Sequence, residues 1–149
     1  MHSFTSCLIH CVWSTKNREP FLNPGLRRRL WPYLHGIAKQ NKMKAIMIGG
    51  ASDHVHILLS LPSTLSVAKA VQLLKGNSSK WIRETFPASQ NFEWQEGYGA
   101  FSIGISGIDA TAEYIRNQAE HHRTRSFREE LGTMLRRHGF DYEESMLDR

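Results

Sequence analysis

Two histidines two residues apart are the first sign of chemistry in this sequence. In Ser52-Asp53-His54-Val55-His56-Ile57-Leu58-Leu59-Ser60-Leu61, the apolar Val55, Ile57, Leu59 and Leu61 alternate with His54, His56, Leu58 and Ser60. That is the period-2 pattern of a half-buried strand. Both imidazoles then emerge on one side, roughly 6–7 Å apart along the strand, and by leaning together they can converge on one cation. A second constellation lies in residues 109–125. Tyr114, Gln118, His121 and Arg125 recur at helical spacing, on a stripe turned away from the small apolar Ile108, Ala112, Ile115 and Ala119. Such a stripe makes a poor core. It suits a nucleophile, a metal ligand and phosphate-binding groups set about one helical turn apart. A surface helix whose tyrosine packs at an edge is the other reading of the same residues.

These groups need elements to hold them. Residues 4–14 read as a first strand, with Cys7, Ile9, Cys11 and Trp13 on an apolar side and Ser6, His10 and Ser14 on the other. His10 nears the histidine pair if the two strands are neighbours; otherwise it is a satisfied or exposed strand histidine. Asn23 is positioned to cap a helix with Pro24 in its first turn, and Leu26, Leu30, Leu34, Ile37 and Ala38 form one face to about Gln40. Pro32 should kink or split that helix, and Arg27, Arg28 and Arg29 should face solvent. Met43 to Gly50 reads as a strand forming an antiparallel hairpin with the histidine strand. A helix comes next, from about Leu65 to Thr85, capped by Ser63 or Thr64, with Val67, Val71, Leu74, Ser78 and Ile82 inward. Ala100 to Ser106 gives a fourth strand, with Phe101, Ile103 and Ile105 on one face. Asp109 then caps a helix to about Ser126. Phe127 to His138 is amphipathic through Leu131, Met134 and Leu135, and the acidic end from Asp141 to Asp148 is expected to be loosely ordered.

The order β-α-β-β-α-β-α-α predicts an α+β fold. Its first six elements match a ferredoxin-like (RRM-like) antiparallel sheet with two helices on one face, followed by two additional C-terminal helices. The 149 residues are expected to form a single domain, 1–149. Hydrophobic residues make up 40% and charged residues 22%, an ordinary globular balance, and the net charge of +5 points weakly to a polyanionic partner. The first residues lack the basic and continuous apolar regions of a signal peptide, and no apolar run is long enough to span a membrane. Cys7 and Cys11 are too far apart on one strand to pair, and two free thiols fit a reducing cytoplasm.

Taken together, these blocks resemble the IS200/IS605-like single-tyrosine transposases of the HUH endonuclease superfamily, including their REP-associated relatives. The resemblance runs through Val12-Trp13-Ser14-Thr15-Lys16, Asp53-His54-Val55-His56-Ile57-Leu58, Trp94-Gln95-Glu96-Gly97-Tyr98-Gly99-Ala100-Phe101-Ser102, Tyr114-Ile115-Arg116-Asn117-Gln118 and His121-His122. It implies that His54 and His56 are metal ligands, Gln118 is the third protein ligand and Tyr114 is the nucleophile. It further implies cleavage and rejoining of single-stranded DNA at hairpin-bearing ends, with Mg²⁺ or Mn²⁺. The expected assembly is a homodimer in which the tyrosine helix of one subunit can complete the site of the other. A domesticated relative that binds or nicks repeated hairpins without transposing is the alternative.

The implied chemistry is coherent. A scissile phosphodiester repels nucleophiles and must be neutralised and held in line. Two imidazoles and an amide oxygen are neutral ligands that leave an ion its full charge, although imidazole suits Mn²⁺ better than Mg²⁺. Tyrosine, with a pKa of about 10, needs a group to take its proton, and His121 is the candidate one turn beyond Gln118. Gly104 and Gly107 stand where a hinge for the tyrosine helix would be. Lys16, Arg18, Arg27, Lys75, Lys80, Arg116, Arg123, Arg125 and His121, with Trp13, Trp94 and Tyr98, are the groups available to track a strand and stack its bases. A histidine-triad hydrolase would need a third histidine where Leu58 stands, and an amidohydrolase barrel needs a longer chain.

Overall fold

The computed structural model of the protein describes residues 1–148. Four strands, β1 (Leu8–Ser14), β2 (Lys44–Gly50), β3 (His54–Ser60) and β4 (Gly99–Ile103), form one antiparallel sheet in the order β2-β3-β1-β4. Two long helices, α1 (Pro24–Gln40) and α2 (Val67–Thr85), join the strands, and the fold is α+β as expected. The strand alternation sorts the side chains. Ile9, Cys11, Trp13, Val55, Ile57 and Leu59 pack with Leu26, Leu30 and Leu34 of α1 and Val71, Leu74 and Ile82 of α2 in the main core. The opposite face carries His10, Val12, His54, His56 and Phe101, and the helices C-terminal to β4 cover it.

That cover departs from the sequence expectation. Residues 108–126 do not form one helix: α3 (Ile108–Arg116) ends at Asn117, and a short α4 (Gln118–His121) comes after it. Asn117 has left the helical region, with φ −93° and ψ 17°, so the apolar stripe stops at the buried Ile115 and Ala119 is exposed. Asp109 lies inside α3, whose cap position is Gly107. Ile105 lies beyond the shorter β4 and is exposed. The last helix, α5 (Phe127–Arg137), is close to its expected span and is capped by the Ser126 hydroxyl, which accepts from the Glu129 N–H. Phe127 and Met134 of α5 pack on Val12 and Phe101, with Leu131 and Leu135 alongside. Helix α3 lies over the β2–β3 half of the same face and α5 over the β1–β4 half, with a seam between them.

Other differences are local. Helix α1 runs unbroken through Pro32. Pro32 and Arg28 are both exposed, so the carbonyl that loses its partner can meet water. Arg27 is half-buried rather than solvated, donating to the Leu22 carbonyl at 2.6 Å. The cap of α2 is Ser66, whose hydroxyl accepts from the Lys69 N–H at 3.0 Å, not Ser63 or Thr64. The strand begins at Leu8 and leaves Cys7 exposed. The acidic end forms a short 3-10 helix, Glu144–Asp148. It is anchored by buried Leu147, by Arg128 paired to Glu144 and Asp148, and by Arg18, which donates to the Leu147 carbonyl.

Candidate active site

The histidine face is assembled by strand register. Strand β1 lies between β3 and β4, with Val12 opposite His56 and His10 opposite both Leu58 and Phe101. Adjacent strands stand about 4.8 Å apart, which brings His10 beside the pair: its Nε2 lies 2.8 Å from His56 Nδ1. On the other side, Gly49 of β2 faces His56. A side chain at Gly49 would collide with the Ile115 carbonyl oxygen. This bare stretch of strand is what allows the α3 backbone to settle on the sheet, and it fixes where Tyr114 and Gln118 arrive.

They arrive at the histidines of their own chain. Gln118 is fully buried, and its Oε1 lies 2.8 Å from His54 Nε2 and 3.1 Å from His122 Nε2. Its Nε2 donates to Glu130 Oε2 at 2.8 Å. The Tyr114 hydroxyl donates to that same carboxylate oxygen. The other oxygen, Glu130 Oε1, is 3.0 Å from His56 Nε2, 3.0 Å from His122 Nε2 and 3.4 Å from His54 Nε2. Five side chains thus meet around one buried point, with the nucleophile candidate at its edge.

Protonation is set by these partners. His54 has acceptors at both nitrogens, Asp53 Oδ1 at Nδ1 and Gln118 Oε1 at Nε2, so without an ion it is doubly protonated, and an ion held at Nε2 would displace that proton. Burial disfavours that charge, but the bonds to Asp53, Glu130 and Gln118 outweigh burial and raise His54 to about 9. His56 is lowered to about 4, first by burial, with Glu130 pulling the other way. His10 is lowered to about 3 by burial and by His56. Both are neutral near pH 7, so His10 Nε2–H donates to His56 Nδ1 and His56 Nε2–H donates to Glu130. Burial alone would raise Glu130, yet the His122, His54 and His56 bonds hold it far below the usual carboxylate range. The Tyr114 phenol is pushed up by burial and by the adjacent Glu130 charge.

The donor set fits a divalent cation. His54 Nε2, His122 Nε2 and Glu130 Oε1 lie within 4.8 Å of one another, close enough for all three to reach one ion. Asp53 on His54 Nδ1–H is the kind of carboxylate that orients a ligating imidazole. A cavity of about 370 Å³ opens beside Tyr114, with His10, Arg125, Glu130, Arg137 and His138 in its wall.

Other expected groups lie elsewhere or are already engaged. His121 packs its ring 4.9 Å from that of Tyr114, but the Tyr114 hydroxyl goes to Glu130. Arg125 donates to Thr133 and the Glu129 carbonyl, and Arg116 pairs with Glu113. Lys16 pairs with Glu93, and Lys75 donates to the Gln95 and Gly97 carbonyls at 2.6 and 2.8 Å. Arg18 stacks over Phe127. Trp94 is buried against Trp13 and Phe92, with its Nε1 donating to Ser78. Lys80 and Tyr98 are exposed. Gly104 and Gly107 hold backbone angles open to any residue, so neither position requires glycine for its conformation.

Sequence reasoning missed Glu130 and did not single out His122 as a ligand. The signal for Glu130 was present: it falls on the helical stripe of Phe127, Leu131 and Met134, where a carboxylate is out of place unless it has partners.

Residues 3–118 match the family described as "Transposase IS200 like". The transposase for insertion sequence element IS200 of Salmonella typhimurium is 27% identical over 124 residues, covering 80% of this chain and 81% of that protein. A solved structure of a Deinococcus radiodurans protein superposes with a TM-score of 0.66 at 24% identity over 80% of this chain and 95% of the other. The REP-associated tyrosine transposase bound to a REP hairpin gives a TM-score of 0.61 at 13% identity, over 82% of this chain and 72% of the other. Both structures show the shared fold. The match over residues 3–118, which spans the histidine strand and ends on Gln118, shows that the chain belongs to the IS200-like transposase family.

Proposed function

We propose that this transposase cleaves and rejoins single-stranded DNA at hairpin-bearing ends, with Tyr114 as nucleophile. The observation that supports it is the convergence of Tyr114 and Gln118 on His54 and His56 within one chain. His54, His56 and Gln118 would hold the ion, Mg²⁺ or Mn²⁺. When bound, the ion supplies positive charge to a phosphate oxygen and eases attack at phosphorus.

The protein's own residues do the rest. The Tyr114 oxygen gives up its proton and attacks phosphorus, the bond from phosphorus to the 3′-oxygen breaks, and that oxygen takes up a proton so that the departing strand leaves as a 3′-OH. The DNA stays attached as a 5′-phosphotyrosine, which keeps the phosphoester bond energy so that a 3′-OH can later reverse the step without ATP. Glu130 orients the phenol through its hydroxyl. At rest, burial and the Glu130 charge keep that phenol protonated. His10 holds His56 at Nδ1, and Asp53 holds His54 at Nδ1. Arg125 and Arg137 around the adjoining cavity offer cationic groups to a DNA backbone. The working assembly is a homodimer that brings two such sites to two DNA ends, and the two free cysteines suit the cytoplasm.

The test mixes the protein with hairpin-tailed single-stranded DNA and Mn²⁺. An SDS-resistant adduct that disappears in Tyr114→Phe is the expected result. Tight hairpin binding with no adduct would favour a protein that recognises repeated hairpins without transposing.

A further inference from the structure

Among the described residues, Glu130 is the one acidic side chain that is buried. A carboxylate removed from water needs charged or hydrogen-bonding partners on both oxygens, and those of Glu130 face different chemistry. Oε1 faces three imidazole nitrogens, while Oε2 takes the Gln118 amide N–H and the Tyr114 hydroxyl. His122 also turns its Nε2 inward, to Gln118 Oε1 and Glu130 Oε1. Both residues lie beyond position 118, where the family match ends.

We propose that Glu130 and His122 are further ligands of the divalent ion, and that the bound ion clamps α5 onto the histidine face. This assignment rests on the metal-dependent reading of the same site.

Three features carry it. The donor atoms of His54, His122 and Glu130 share one small volume, as ligands of a single ion do. A carboxylate also corrects a weakness of the all-neutral set of two imidazoles and an amide, since Mg²⁺ and Mn²⁺ favour oxygen donors. Finally, α5 has a modest apolar hold: Phe127 stacks on the His54 ring at 4.4 Å, and Met134 packs on Val12 and Phe101. Glu130 sits between these two anchors, so coordination there would tie the helix to β3. With Oε2 still on the Tyr114 hydroxyl, one carboxylate would set the distance between ion and nucleophile.

The experiment uses the 149-residue chain, first without DNA for ion binding and exchange, then with hairpin-tailed single-stranded DNA for adduct formation. Mn²⁺ binding is measured by calorimetry, and hydrogen exchange is monitored across residues 127–137 with and without Mn²⁺. Wild type and Tyr114→Phe should both bind Mn²⁺ and slow exchange in α5. Glu130→Gln, which keeps the side-chain size, should lower Mn²⁺ affinity at least tenfold and abolish the Mn²⁺-dependent protection. His122→Asn, at the half-buried rim, should also weaken binding several-fold, and it serves if Glu130→Gln does not fold. Unchanged affinity in both variants, with binding abolished in His54→Ala, overturns the assignment alone. Faster adduct formation in Glu130→Gln with undiminished Mn²⁺ affinity also overturns it, because the carboxylate would then be an obstruction. No Mn²⁺ binding by the wild type removes the metal-dependent reading and this assignment together. Normal Mn²⁺ behaviour without any DNA adduct removes only the nucleophile reading.

Discussion

At the scale of residues, the buried imidazoles make acid stability a direct probe of the site. An unfolded chain titrates His10 and His56 near 6.5, whereas the folded values are about 3 and about 4. Because the folded values are the lower ones, the unfolded state takes up more protons as pH falls. Their stabilisation is therefore complete above about 6.5 and is lost as pH drops toward 4 and 3. Glu130, held below its ordinary value, adds to the acid loss once unfolded carboxylates protonate. His54 has the opposite sign: raised to about 9, it contributes fully below 6.5 and its contribution fades as pH climbs through 9. Thermal unfolding in EDTA from pH 4 to 9 should therefore peak near pH 6.5 and fall more steeply on the acid side. A flat profile from pH 4 to 7 would show that His10 and His56 are not neutral and buried. The pair itself was legible because strand alternation puts two neighbouring even positions on one face. Glu130 is marked in the sequence only by its place on the Phe127, Leu131 and Met134 stripe; the partners that make it part of the site come from other elements and are not legible there.

At the scale of elements, the tyrosine helix depends on an absence of side chain. Gly49 lies opposite His56, and a methyl there would overlap the Ile115 carbonyl. The obstacle is backbone, so α3 must move as a unit. Gly49→Ala should cost about 1–3 kcal/mol, as overpacking does. It should also reduce Tyr114 adduct yield more than the stability loss alone explains, because Tyr114 and Gln118 shift away from His54 and Glu130. Denaturant unfolding and adduct yield at a temperature where the variant is fully folded check the two parts. Unaltered yield in a folded variant would mean that the glycine is a packing convenience. The sequence periodicity located this helix but not its break. Tyr114, Gln118 and His121 keep helical spacing across Asn117, and only tertiary contact decides that the backbone leaves the helix there. Pro32 shows the converse, since an exposed carbonyl can lose its partner without ending the helix.

At the scale of the whole molecule, the α+β order and the strand partners arise from two periodicities that a single chain displays plainly, 2 for β1 to β4 and 3.6 for α1 and α2. How the C-terminal third closes over the free face depends on long-range docking of α3 and α5, for which no local pattern is sufficient. The same limit applies to charge. A net charge of +5 suggests a cationic surface, yet several of those cations already have partners within the folded chain. Lys75 is capped by two carbonyls of the 95–97 loop, Lys16 by Glu93, and Arg128 by Glu144 and Asp148. Counterion release reports only cations that meet phosphates, each changing the slope of log affinity against log salt by about 0.7 for a single strand. Lys75→Ala should therefore lower stability by about 2 kcal/mol through lost charged hydrogen bonds while leaving the slope for hairpin-tailed DNA unchanged. Lys80, exposed on the same helix, should behave oppositely if it meets the strand: Lys80→Ala leaves stability within error and reduces the slope. Unfolding curves paired with binding from 50 to about 200 mM salt separate the two. A reduced slope for Lys75→Ala at unchanged stability would mean that DNA draws this lysine away from the loop carbonyls.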